Sequence, residues 1–201
     1  MVLESMGNME NIIMMLILIV FFYGIFIVNY GKVTYVESYY DGNKYLVQNT
    51  LYKEESAILL SKLVERMKFL RDYVKNNREK YEEFKEYIDM LDDNFNDSRT
   101  SIFEGDGEND LTSYSVNKGE ELVFCLHSKK TGKLHDINLL MYVAIHEMSH
   151  MACPEIGHGE LFKKIFNFLT KVGMELNIYY KEDFVSNPKE YCGMILSSSI
   201  V

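Results

Sequence analysis

The chain has 201 residues, 47% of them apolar, which is enough to bury one ordinary core and too few for two domains of enzyme size. Thirty acids against 21 bases give a net charge of −9, so nucleic acid is not an expected partner. Cys125, Cys153 and Cys192 form no C-x-x-C pair, which excludes a structural zinc ribbon, and their odd number fits a reducing compartment.

In chain order, residues 1–11 read as a short tail carrying Glu4 and Glu10 and no base. Ile12 to Val28 is an unbroken apolar run of about 26 Å as a helix, the length of a bilayer core. Without a basic leader or a small-residue cleavage site it reads as an uncleaved transmembrane helix over 12–30, ahead of a single domain over 31–201. Lys32 and Lys44 follow the run and no base precedes it, which places that domain in the cytosol. Val33 to Val36 and Tyr45 to Gln48 are strand candidates around the turn signal Asp41-Gly42. Apolar residues at helical spacing predict one amphipathic helix from Glu54 to about Lys75 and a second from Glu79 to Leu91. Asn94 to Asp110 reads as a loop interrupted by Ile102-Phe103. Ser113 to Val116 and Glu121 to Cys125 then form a strand pair across Asn117-Lys118-Gly119, and the second of these is the expected substrate edge.

Asp136 is a candidate N-cap for a helix that is apolar nearly all round, from Ile137 to Ile145, and that continues into His146-Glu147-Met148-Ser149-His150. Residues four apart share a helix face, so His146 and His150 can offer two imidazoles to one metal while Glu147 reaches its water. Pro154 should stop the helix near Cys153, and Gly157 permits the reversal that would return His158 as a third ligand. Glu155 and Glu160 are rival third ligands, and Glu160 also suits the start of a further helix running through Leu161, Phe162, Ile165, Phe166, Leu169 and Val172 to about Gly173. His127 and His135 read as surface residues, and Cys153 as a small buried apolar residue. The expected site is a Zn2+ ion on His146, His150 and His158, with Glu147 as catalytic base and acid. Tyr179, Tyr180 and Tyr191 are candidates to stabilise an oxyanion, and Asn138, Glu155 and Glu160 to orient the imidazoles.

His146 to His150, together with Gly157-His158-Gly159-Glu160-Leu161-Phe162, resembles the SprT-like and WLM metallopeptidases. The stretch Leu122 to Leu126 with Thr131 to Leu140 resembles the WLM-type proteins of algae and large DNA viruses. The resemblance implies an α+β, zincin-like catalytic domain with a small mixed or antiparallel sheet and a central H-E-x-x-H helix. It implies a zinc endopeptidase acting on a protein or peptide substrate, here tethered to a membrane. A catalytically inactive, zinc-stabilised, membrane-anchored binding module is the alternative expectation, and a peptidase without the anchor is another.

Overall fold

The computed structural model describes residues 2–107 and 112–201, and for residues 2–10 and 26–30 it describes the helical backbone alone. Helix α1 (Val2–Tyr30) leads into an antiparallel ribbon of β1 (Val33–Glu37) and β2 (Lys44–Gln48), with Val33 opposite Gln48. The ribbon turns where the sequence places Asp41-Gly42. Gly42 sits at φ 74°, and the Asp41 carboxylate accepts from the Asn43 main-chain N–H at 3.1 Å and the Tyr45 hydroxyl at 2.6 Å.

The transmembrane helix expected over 12–30 is not sustained, because among the described residues no helix is long and apolar enough to cross a membrane. Residues 26–28 of the apolar run lie outside the described side chains. The membrane as a partner, the single-pass topology and the cytosolic placement of the domain all rested on that span and fall with it.

Helix α2 (Lys53–Asn76) buries the stripe Leu60, Leu63, Met67, Leu70 and Val74, the spacing that predicted it. The next helix starts later than the periodicity implied. Residues 78–84 form two 3₁₀ turns, Arg78–Lys80 and Glu82–Phe84, and α3 (Lys85–Asn94) follows. The break falls at Tyr81, whose φ −116° and ψ 56° cannot continue a helix.

The reading of 94–110 as loop missed β3 (Ser101–Glu104), which runs parallel to β5 (Glu121–Phe124). Strand β4 (Tyr114–Val116) pairs antiparallel with β5 on its other side, giving the mixed order β3-β5-β4. β5 is therefore central and saturated by its neighbours, so it cannot be the substrate edge that the sequence suggested. Asn117, Lys118 and Gly119 turn the β4–β5 hairpin at φ 46°, 54° and 107°. Gly119 is required there, since a Cβ would lie 2.5 Å from both the Asn94 carbonyl oxygen and Met151 Sδ.

Helix α4 (Ile137–Ala152) is the centre of the molecule, packed against α2, α3 and α5 (Glu160–Glu175). Asp136 caps it by accepting from the Asn138 N–H at 2.8 Å, and Cys153 ends it in extended geometry before Pro154. All of its residues are buried except Ile137 and Asn138 in the first turn and His146 and His150. The chain closes with a hairpin of β6 (Lys189–Tyr191) and β7 (Met194–Leu196), tied to the end of β5 by a Cys125–Cys192 disulfide. That bond overturns the reading of Cys125 and Cys192 as reduced thiols. Cys153 is free and buried.

Candidate metal centre

Helix geometry sets His146 and His150 one turn apart on the single open face of α4. Gly157, at φ 89°, reverses the chain after Pro154, and His158 returns to them. The three Nε2 atoms form a nearly equilateral triangle, with 3.2 Å between His146 and His150 and 3.1 Å from His158 to each of the others.

Those distances test whether the residues suit a cation. Imidazole nitrogens bound at about 2.0–2.1 Å to one tetrahedral ion stand about 3.3–3.4 Å apart, close to the spacing found. As hydrogen bonds alone the triangle would be frustrated, since a neutral imidazole offers one donor and here three nitrogens face one another. Burial first, then the neighbouring imidazoles, hold His146 down to about 3. Burial first, then His158 and Lys118, hold His150 down to about 4. Both rings are therefore neutral at pH 7, the form that ligates a metal.

Phe162, on the first turns of α5, fixes the cluster from behind. Its ring lies 5.0 Å from that of His146, 4.3 Å from His150 and 4.8 Å from His158. Phe166 adds an edge contact to His146 at 5.3 Å. The helical spacing of Phe162 had marked it only as a core residue, although its place four residues after His158 was a signal.

The cluster opens into a cleft of about 540 Å³, whose far wall is Ser113, Tyr114 and Ser115 on and beside β4. Glu147 is buried on this side, where burial pushes its carboxyl up to about 7 against the hydrogen bond from Ser115. Lys118 closes one rim by donating from Nζ to the Cys153 and Pro154 carbonyl oxygens at 2.8 and 2.9 Å, which ties the β4–β5 turn to the end of α4.

Tyr191 is the one candidate tyrosine beside the acid. Its hydroxyl bonds the Ser113 hydroxyl, and it lines a side pocket with His146 and Glu147. Tyr179 is buried against Tyr142, and Tyr180 is exposed. Asn138 does not orient the imidazoles. It accepts from the Tyr180 N–H at 2.7 Å and donates to the Tyr180 carbonyl oxygen and to Glu182, both at 2.8 Å. Glu160 pairs with Lys163 at 2.7 Å in the first turn of α5, and Glu155 stands on the cleft rim.

His127 and His135, expected at the surface, are both buried. His127 Nδ1 meets the buried Glu104 carboxylate at 2.7 Å, and His135 packs beside Cys192. The partners are 23 and 57 residues away, so no local pattern could have revealed them.

Among the described residues, two groups of side chains could hold a metal ion: His146, His150 and His158, and Cys125, His135 and Cys192. In the second group both sulfurs are consumed by the disulfide, so it holds no zinc in this form.

The uncharacterized protein R325 of Acanthamoeba polyphaga mimivirus is 42% identical over 171 residues, covering 85% of this chain and 86% of its own length. The chain belongs to the family of that mimivirus protein. Shorter likenesses are also found: uncharacterized protein 136R of Invertebrate iridescent virus 6 is 35% identical over 83 residues, 40% of this chain and 44% of that protein. Uncharacterized protein 042R of Invertebrate iridescent virus 3 is 31% identical over 86 residues, 42% of this chain and 52% of that protein. No family model matches the chain. No solved structure matches it.

These findings correct the resemblance. Membership of the mimivirus family replaces the SprT-like or WLM assignment, which no family model carries, and the zincin-like label has no matching structure behind it. What stands is an α+β domain with a mixed sheet. The zinc endopeptidase reading and its inactive, membrane-anchored alternative are overturned on three counts. Among the described residues no helix is long and apolar enough to cross a membrane, Cys125 and Cys192 are joined in a disulfide, and three imidazoles do not by themselves single out zinc among the first-row divalent ions.

Proposed function

We propose that this member of the mimivirus family is a metal-binding protein in which His146, His150 and His158 hold one divalent first-row ion and Glu147 moves a proton beside it. The observation that carries this reading is the triangle of three Nε2 atoms 3.1–3.2 Å apart at the mouth of a cleft. Such an ion supplies Lewis acidity that lowers the pKa of water. The chain's residues do the rest. His146 and His150 present lone pairs with no proton to displace, and Phe162 keeps the three rings convergent. Glu147, whose carboxyl burial pushes up in the metal-free protein, takes a proton at its carboxylate and releases it again. Ser115 holds that carboxylate toward the cleft from β4.

Equilibrium dialysis of the full chain against each divalent ion, followed by elemental analysis, tests the reading. One ion per chain is expected for the wild type and for Glu147→Gln, and none for His146→Ala or His150→Ala at the same free-ion concentration. Proton release on ion loading, measured in weakly buffered solution and altered in Glu147→Gln, would support the proton-moving role. A folded wild type that retains no ion overturns the reading.

A further inference from the structure

The Cys125–Cys192 disulfide lies in surroundings that suit a cation better than a pair of bonded sulfurs. His135 Nε2 is 3.5 Å from Cys192 Sγ and receives only a long 3.4 Å contact from the Cys192 N–H. The main-chain oxygen of His127 lies 3.2 Å from Cys125 Sγ and 3.5 Å from Cys192 Sγ. Disulfide sulfurs carry no hydrogen, so these contacts are not hydrogen bonds in the oxidised form. An imidazole nitrogen and the His127 carbonyl oxygen thus lie against the sulfurs, and the Cys125 carbonyl oxygen is also 3.5 Å from Cys192 Sγ. The Sγ, Sγ and Nε2 atoms lie within 4.8 Å of one another, and all three side chains are buried.

We propose that reduction of Cys125–Cys192 by a dithiol turns this cluster into a second metal site, with Cys125, Cys192 and His135 as side-chain ligands and the His127 carbonyl oxygen as a fourth donor. The reducing dithiol becomes a disulfide, and its two electrons and two protons pass to the cysteine pair as the S–S bond breaks. Binding of a divalent ion then displaces both thiol protons, so the step balances with no other reactant. Two thiolates and an imidazole form a soft donor set that selects thiophilic ions, unlike the all-imidazole cluster on α4.

The consequence concerns the cleft. The disulfide joins positions 67 residues apart and staples the β6–β7 hairpin, whose Tyr191 and Met194 line the pocket beside His146 and Glu147. An ion held by the same two sulfurs keeps that staple when the disulfide is gone. The hairpin then stays against the cleft in both redox states.

Titration of the full chain with Co2+ under anaerobic conditions tests this, because a thiolate ligand adds an ultraviolet charge-transfer band that imidazole ligands do not. The reduced wild type should show the band and take up one more equivalent than the oxidised protein. The double variant Cys125→Ser with Cys192→Ser, which retains Cys153 alone, should lack the band. His135→Ala keeps both sulfurs and should bind the second ion at least about tenfold more weakly. The proposal is overturned if the reduced wild type has no band, if the band survives in the double variant Cys125→Ser with Cys192→Ser and so comes from Cys153, or if His135→Ala binds unchanged. A band in the reduced protein beside no uptake by the oxidised one would count against the three-imidazole centre alone and support this site.

Discussion

Phe162→Ala separates the packing of the histidine cluster from the ligands themselves. The Phe162 side chain is buried against all three imidazoles and is closed off by Phe166, at 5.9 Å between ring centroids. A buried phenylalanine removes roughly 150–250 Å² from water, worth about 4–6 kcal/mol at ~25 cal/mol per Å², and truncation to alanine typically costs about 3–5 kcal/mol. The void would sit under the three rings, so each imidazole would gain freedom to rotate away from the shared point. Loss of such orienting contacts weakens metal binding by about 10–100-fold. Urea unfolding of the metal-free protein reads the first effect, and competition with a chromophoric chelator reads the second. Phe162→Leu, which fills most of the volume, should cost about 1.5 kcal/mol or less and keep most of the affinity. A folded Phe162→Ala that bound metal as tightly as the wild type would refute the view that this ring holds the cluster together.

Three further perturbations have signs fixed by the structure. Gly119→Ala forces a methyl group against the Asn94 carbonyl oxygen and Met151 Sδ at a positive φ, and should lower stability by about 2–4 kcal/mol in urea unfolding. Breaking the disulfide without added metal, by reduction or as Cys125→Ala with Cys192→Ala, frees a closed loop of 67 residues and should cost about 4 kcal/mol, read the same way. In the metal-free protein His146 and His150 stay neutral to about 3 and about 4, whereas the unfolded chain protonates them near pH 6.5, so their contribution is present above that pH and is lost as pH falls. Glu147, held up to about 7, acts oppositely, adding stability at low pH that is lost as pH rises through 7. Two groups outweigh one, and the net loss from neutrality to pH ~4 should be on the order of a few kcal/mol. His146→Gln should flatten that dependence.

The parts of this fold that the sequence revealed are those whose determinants lie close together in the chain. The stripe from Leu60 to Val74, the cap at Asp136, the stop before Pro154 and the turn at Asp41-Gly42 each depend on a few neighbouring residues, and each stands where its local chemistry puts it. Strand β3 was missed because only Ile102 and Phe103 mark it, and its reason for being extended is a parallel partner twenty residues later. β5 looked like an edge because a hairpin with β4 was the only pairing visible in the sequence. The buried His127–Glu104 pair, His135 and the disulfide escaped for the same reason. Their residue types are ordinary surface or thiol chemistry until distant segments enclose them. The apolar run in α1 misled in the other direction, since composition and length suggested a span that the described helix does not supply. The H-E-x-x-H spacing sets His146 and His150 on one helix face and the reversal at Gly157 returns His158 beside them, but neither pattern carries a substrate or the identity of an ion.

X-ray absorption at the metal edge of the oxidised, full-length protein loaded with one equivalent of Co2+ tests the three-imidazole centre most directly. That centre should show three imidazole ligands at about 2.0–2.1 Å, completed by oxygen and free of sulfur. A spectrum with one imidazole or none, or with a sulfur neighbour in the oxidised protein, would contradict it.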